Sequence, residues 1–225
     1  MRILLISGHK AGDNLSKFTG YNEGFLNIEL VNLLYEKFAD YNVDVVKYPT
    51  DRDAYKDNKN GELKVNFRDY EYIFEVHFNA FQDDGSARGT SIQLHSDYNA
   101  GISVEKSVLS GLAKIGFKLR GDNGIVRRND LLNMDTAYNL GVDYALLETC
   151  FYDSPDDMKL YYNNQKEVVN AIVGGICSAF GINKKEKSDK LYRVQIGAFT
   201  KREYAEDCLK KAKNAGFSDA FIKEG

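Results

Sequence analysis

His9, His77 and His95 are the only imidazoles in this 225-residue chain, so histidine-dependent chemistry has few places to occur. Two of them leave short apolar runs. Gly8-His9 follows Arg2–Ser7, and His77 lies near the end of Tyr72–Phe78. Carboxylates accompany them: Glu23 opens a helical pattern in register with Leu26 and Leu30, and Glu148 follows the buried run Tyr144-Ala145-Leu146-Leu147. Ligands of a parallel sheet bind beyond the carboxyl ends of its strands. These four side chains are therefore expected along one edge. Two imidazoles and one carboxylate, with a fourth position open, form the donor set of a catalytic zinc site, and His9, Glu23 and His77 are the candidate ligands. A metallohydrolase follows as the chemical reading. Plainer roles stand beside it, since a histidine after a strand often just hydrogen-bonds locally and a glutamate at a helix start favours the positive end of the dipole. Glu148 is harder to explain in that way, because an unpaired carboxylate in a buried strand costs several kcal/mol.

The elements that must position these groups are legible from periodicity. Arg2–Ser7 reads as a buried strand stopped by Gly8. From Glu23 to about Ala39, Leu26, Leu30, Leu34 and Phe38 recur every four residues as the stripe of an amphipathic helix. Val43–Tyr48, Tyr72–Phe78, Thr90–Leu94 and Ala145–Thr149 are further strands, and the polar stretch Pro49–Gly61 is a long loop. Ser103–Phe117 reads as a helix, and Ser154–Phe180 as two helical segments capped by Ser154 or Asp153. The alternation predicts an α/β fold, a mostly parallel sheet flanked by helices. Gly181 ends that pattern and residues 182–190 are mostly polar or charged, a linker composition. Beyond it, Leu191–Ile196, Lys201–Ala215 and Ala220–Lys223 predict a small C-terminal βαβ unit, too short to close a core alone.

Composition narrows the function classes. Thirty basic against 33 acidic side chains leave a net charge of −3, so no global field draws the chain to nucleic acid or anionic lipid. No apolar run approaches the ~18–20 residues that span a bilayer, so no membrane insertion is expected. The N-terminus lacks the pattern of a signal peptide. Cys150, Cys177 and Cys208 are odd in number and lack CxxC spacing, and read as free thiols rather than as a disulfide framework.

In order, Gly8-His9, Asn22-Glu23-Gly24, Phe74-Glu75-Val76-His77-Phe78-Asn79-Ala80, Gly89 before a strand, and Ala145-Leu146-Leu147-Glu148-Thr149-Cys150-Phe151 run along residues 1–181. This series resembles the zinc-dependent N-acetylmuramoyl-L-alanine amidases of the Amidase_3 family. The resemblance implies Zn2+ on His9, Glu23 and His77, Glu148 as the catalytic acid/base, and bacterial peptidoglycan as the substrate. The bond cut would be the amide between the lactyl group of N-acetylmuramic acid and L-alanine. This chain departs from the family pattern in Ile6-Ser7 before Gly8-His9, in Cys150 where glycine is frequent, and in Asp153 where asparagine is common. None of these positions is a metal ligand.

Glu75 shares a strand face with His77 and is expected either to orient that imidazole from beneath or to pair with a nearby Lys or Arg. His95 reads as solvent-facing or structural, and Cys150 as a packing thiol. Lys118, Arg120, Arg127 and Arg128 form either a solvated face or a contact with anionic wall components. A zinc peptidase acting on stem peptides and a non-catalytic wall-binding protein are the competing functions.

The tail, Leu191-Tyr192-Arg193-Val194-Gln195-Ile196-Gly197-Ala198-Phe199 with the helix after it, resembles the opening half of a SPOR domain, a module that binds peptide-stripped glycan. Residues 191–225 are thus expected to bind the cell wall or to pair two chains as a homodimer through the uncovered half-domain. With no signal peptide, the expected setting is a phage endolysin made in the cytoplasm and released to the wall through a holin.

Overall fold

The computed structural model describes residues 1–186 and 194–224. They divide into two compact units, Met1–Lys185 and the chain from Glu186 onward. The first unit is built on a six-stranded sheet. Its strands are β1 (Arg2–Ser7), β2 (Asp44–Lys47), β3 (Tyr72–Asn79), β4 (Ser91–His95), β5 (Ile125–Arg128) and β6 (Asp143–Phe151), in the spatial order β2-β1-β3-β6-β4-β5. Pairing is parallel throughout except between β4 and β6, so β4 and β5 run against the other four. The carboxyl ends of β1, β3 and β6 therefore share an edge with the amino ends of β4 and β5.

Side chains alternate across the sheet, and each face has its own core. On one side Ile3, Leu5, Phe74, Val76 and Leu147 pack against α1 (Glu23–Phe38), α3 (Ser103–Ile115) and α6 (Gln165–Ala179). On the other, Leu4, Ile6, Ile73, Tyr144 and Leu146 meet α2 (Ala54–Lys59) and α4 (Leu132–Asn139). The expected stripe of α1 is the one observed, with Leu26, Leu30, Leu34 and Phe38 buried. Asn22 caps that helix, its side chain accepting from Phe25 N at 3.1 Å. The stretch Ser154–Phe180 is two helices, α5 (Pro155–Asn163) and α6, with Ser154 as the N-cap of α5.

Three expectations need correction. The stretch Pro49–Gly61 is not all loop: Asp53 caps α2 by accepting from Lys56 N at 3.0 Å. The helix has only Ala54 as an apolar anchor, so no periodicity betrayed it. Second, α4 and β5 were not anticipated; β5 is four residues with two apolar side chains, and α4 packs only Met134 and Ala137 into the core. Third, the C-terminal βαβ unit is formed only in its helix, α7 (Arg202–Asn214). Residues 194–196 and 220–223 are not in strands, and the remainder of the expected first strand, 191–193, lies outside the described residues. A strand needs a ladder partner, and Val194, Ile196 and Phe221 are exposed.

No helix among the described residues is long and apolar enough to cross a membrane. The three cysteines are free, Cys150 and Cys177 buried and Cys208 half-buried.

Candidate active site

β1 delivers His9. The Gly8 amide donates to Val76 O at 2.9 Å, which extends the β1–β3 pairing one residue past the strand. A side chain at Gly8 would meet the His77 ring, its Cβ only 2.1 Å from Cε1. Glycine is thus what lets the imidazole of β3 lie over the backbone of β1. His9 itself has φ 63°, in the left-handed region that few non-glycine residues occupy. Asn27 Nδ2 holds the turn by donating to Gly8 O at 2.6 Å.

Glu23, the first residue of α1, is buried and points at both imidazoles. Its Oε1 lies 2.9 Å from His77 Nδ1 and its Oε2 3.3 Å from His9 Nε2. Asn14 holds Glu23 twice: its side-chain Nδ2 donates to the carboxylate Oε2 at 2.8 Å, and its backbone carbonyl accepts from Glu23 N at 3.0 Å. The two rings meet edge to face at 4.9 Å. One ligating atom from each of His9, Glu23 and His77 falls within 4.8 Å of the others. Two imidazole nitrogens and one carboxylate oxygen so grouped fit a zinc ion.

The far side of His77 is also occupied. Glu75 Oε1 lies 2.9 Å from His77 Nε2, and Glu75 Oε2 accepts from Asn133 Nδ2 at 3.0 Å and from the Tyr144 hydroxyl. Burial would raise the Glu75 carboxyl, but the hydrogen bond and charge of His77 outweigh it and hold the group below the usual carboxylate range. Burial would likewise lower His77. Its two carboxylate partners reverse that and raise it well above an ordinary imidazole. Among the described residues Glu75 thus meets His77 and forms no ion pair with a Lys or Arg.

Glu148 sits on β6 directly beside His77 on β3, and Ser91 of β4 is its partner on the other side. Thr90 Oγ1 donates to the Glu148 carbonyl at 3.0 Å. The side chain is half-buried, and its Oε2 is a buried oxygen without a hydrogen-bond partner among the described residues. Burial pushes its carboxyl up to about 7, against the opposing charge of His77. It therefore divides between acid and base at neutral pH.

All four expected groups are thus brought together, and four supporting residues escaped the sequence reading. Asn14, Asn27, Asn133 and Tyr144 carry no motif of their own, and only folding reveals what they touch. A second carboxylate pair, Asp13 and Asp53, also approaches His9 within 4.8 Å. The Lys56 ammonium lies 3.1 Å from Asp13 and 3.2 Å from Asp53, an internal cation already in place. His95 stacks on Tyr138 at 3.9 Å and lies 3.3 Å from Asp135, away from the ligands, and Cys150 is core packing.

Known proteins carry the same arrangement of elements. The Amidase_3 profile, N-acetylmuramoyl-L-alanine amidase, matches residues 3–178, and the SPOR domain profile matches residues 166–224. A curated relative, the Probable autolysin PH of Staphylococcus aureus, is 25% identical over 189 residues, covering 78% of this chain and 38% of that protein. The chain thus spans well under half the length of this relative. Among solved structures, an N-acetylmuramoyl-L-alanine amidase from Clostridium difficile 630 superposes with a TM-score of 0.66 at 19% identity, covering 80% of this chain and 96% of that one. The amidase Ami1 from Mycobacterium smegmatis gives 0.64 at 16%, covering 80% and 97%. The catalytic domain of the CD27L endolysin, which targets Clostridia difficile, gives 0.63 at 22%, covering 79% and 97%. With most of its length matched by that profile, the chain belongs to the N-acetylmuramoyl-L-alanine amidase family Amidase_3.

Proposed function

We propose that the chain is a zinc-dependent peptidoglycan amidase that cuts between N-acetylmuramic acid and L-alanine. The observation that carries this reading is the convergence of His9, Glu23 and His77 within 4.8 Å, on the strand edge that also presents Glu148. His9, Glu23 and His77 would hold the zinc, and the chemistry it would supply there is Lewis acidity toward the scissile carbonyl and a water acidified toward a pKa of about 7. Glu148 takes a proton as base and returns it to the leaving amine as acid, a double role suited to a carboxyl near 7. Glu75 keeps the His77 ring turned so that Nδ1 faces Glu23 and the ligand position.

Mass spectrometry of digested wall tests the proposal. An amidase exposes a new L-alanine amino terminus and a free lactyl carboxylate, and a chelator abolishes this until zinc is restored. Fragments cut within the stem peptide, with the lactyl amide intact, would instead identify a peptidase. No cleavage by the zinc-loaded protein would leave a wall-binding role.

We assign residues 1–181 to catalysis and 191–225 to the wall. The SPOR match supports the second assignment, and the exposed Val194, Ile196, Phe199 and Phe221 support pairing between two chains. Sedimentation of the chain with and without residues 190–225 distinguishes a homodimer from a monomer, and co-pelleting with peptide-stripped glycan tests binding. The endolysin setting is part of the same proposal. Co-expression with a holin is expected to lyse cells that tolerate the chain alone.

A further inference from the structure

Four basic residues stood together in the sequence, and the fold separates them. Arg127 Nη1 donates to Tyr98 O at 2.7 Å, and Arg128 forms a two-pronged pair with Asp130 at 2.6 and 2.7 Å. Lys118 and Arg120 have no acidic partner among the described residues, although Arg120 Nη1 donates to Arg88 O at 3.2 Å. They line a cavity of about 470 Å3 together with Arg88, whose guanidinium is already taken by Asp156 at 2.9 Å and Asp157 at 3.3 Å. The Asp157 carboxylate is itself turned inward, accepting from Gly89 N at 2.7 Å and Phe151 N at 3.1 Å. The cavity therefore offers two uncompensated cations.

This cavity is built by backbone pairing beside Glu148. Thr90 N donates to Lys118 O at 2.8 Å and Arg120 N to Thr90 O at 3.0 Å, while the hydroxyl of the same threonine bonds the Glu148 carbonyl. Gly89, with φ 112°, permits the approach, since a Cβ there would lie 2.3 Å from Lys118 O. The Arg120 guanidinium lies over the Phe151 ring at 4.7 Å. Phe151 pairs with Asn79 just as Glu148 pairs with His77, so the bulge between them returns it to the face of the catalytic groups.

Along the edge the order is therefore ligands on β1 and β3, Glu148 on β6, then the two cations by β4. If Glu148 protonates the leaving amine, the peptide departs on its far side, toward Lys118 and Arg120. Adjacent strands are about 4.8 Å apart and the segment 118–120 pairs with Thr90 on the side of β4 away from β6, so the cations stand roughly 10 Å along the edge from Glu148. A peptide extends about 3.3–3.6 Å per residue, which brings a carboxylate on the second or third stem residue to them.

The geometry points to Lys118 and Arg120 as a carboxylate-recognising subsite for the stem peptide on the leaving side of the scissile amide, an inference that rests on the amidase reading above. The test uses the zinc-loaded full chain and soluble muropeptides whose second residue carries either a free α-carboxylate or the corresponding amide. Wild type is expected to favour the free acid about tenfold in kcat/KM, mostly through KM, with the preference shrinking as salt rises. Lys118→Gln combined with Arg120→Gln is expected to bring the ratio to about one, and Arg120→Lys to retain part of it. A wild type that cleaves both substrates equally overturns the subsite, as does a preference that survives the double substitution or an equal loss on both substrates. Failure of wild type to cleave either lactyl amide overturns the amidase reading itself and the subsite with it.

Discussion

Glu75 Oε1 lies 2.9 Å from Nε2 of His77, on the opposite side of the ring from Glu23. The imidazole is held between two carboxylates, one of which is a candidate ligand and the other its brace. Glu75 is anchored in turn by Asn133 and Tyr144 from α4 and β6. Orienting partners of this kind set metal affinity. Glu75→Ala is expected to weaken zinc binding about 10–100-fold in competition with a chromogenic chelator. Glu75→Gln, which keeps an acceptor oxygen, should lose less. Equal affinity in wild type and Glu75→Ala would remove the brace from the account.

Glu148 is expected to matter for turnover and not for metal retention. Glu148→Gln should lower kcat about 10²–10⁴-fold with zinc content unchanged by elemental analysis. The pH profile carries the sign. As pH falls through its pKa the carboxyl takes up a proton and can no longer act as base, so activity is lost on the acid side. Burial, net of the charges of His77 and its neighbours, places that pKa at about 7, and a bound cation draws it lower. The acid limb of kcat/KM should therefore have its midpoint at or below pH 7, and a limb well above 7 would contradict the assignment.

Gly8 is expected to tolerate no side chain. In Gly8→Ala the new methyl carbon would start 2.1 Å from His77 Cε1, so the ring or the β1 turn must move. Overpacking of this kind costs about 1–3 kcal/mol, and the displaced imidazole should also weaken zinc binding. Thermal unfolding with and without zinc measures both effects. A variant as stable and as tightly metallated as wild type would show that the contact yields without cost.

Glu105 on α3 sits far from this chemistry, at the end of the sheet where Tyr72 begins β3. The Tyr72 hydroxyl donates to its Oε1 at 3.1 Å, and its Oε2 is buried without a partner among the described residues. Burial raises its carboxyl above the ordinary range. The folded state then binds the proton more tightly than the unfolded state, so stability falls as pH rises from the ordinary carboxylate range through the raised value. Glu105→Gln removes that slope. It is expected to stabilise the fold by about 1–2 kcal/mol at neutral pH, a gain that closes as the pH drops toward 4. Denaturant unfolding across that range checks it, and a destabilised variant at neutral pH would refute it.

What could be read from the sequence was whatever repeats or is buried continuously. The run Arg2–Ser7 and the four-residue recurrence from Leu26 to Phe38 announced β1 and α1, and with them the edge where His9 and Glu23 had to lie. The run before Glu148 similarly placed it on a strand, although β6 begins at Asp143 and continues through Phe151. Residues whose roles come from long-range hydrogen bonds left no such trace. Asn133 is one polar residue among many until α4 sets it against Glu75, 58 positions away in the chain. Lys118 and Arg120 looked equivalent to Arg127 and Arg128, and differ because Asp130 neutralises Arg128, while only Lys118 and Arg120 line the cavity beside Arg88. In the tail, alternating Val194 and Ile196 suggested a strand, but alternation specifies a face and not the partner that face requires.

The reversed direction of β4 and β5 has a wider consequence. Because their amino ends lie at the edge that carries His77 and Glu148, the segments that enter them, 80–90 and 116–124, form one bank of that edge, while the candidate ligands His9, Glu23 and His77 sit on the other. The two banks are joined by β6, which pairs with β3 through Glu148 and its neighbours and with β4 from Ser91 to Gln93, and by Asp83, which accepts from Ser16 Oγ, Lys17 N and Phe18 N. Changes in length or charge on the β4–β5 bank can therefore retune which peptides are accepted while the reactive centre keeps its geometry, so that substrate preference and bond-breaking power are free to diverge separately within one sheet.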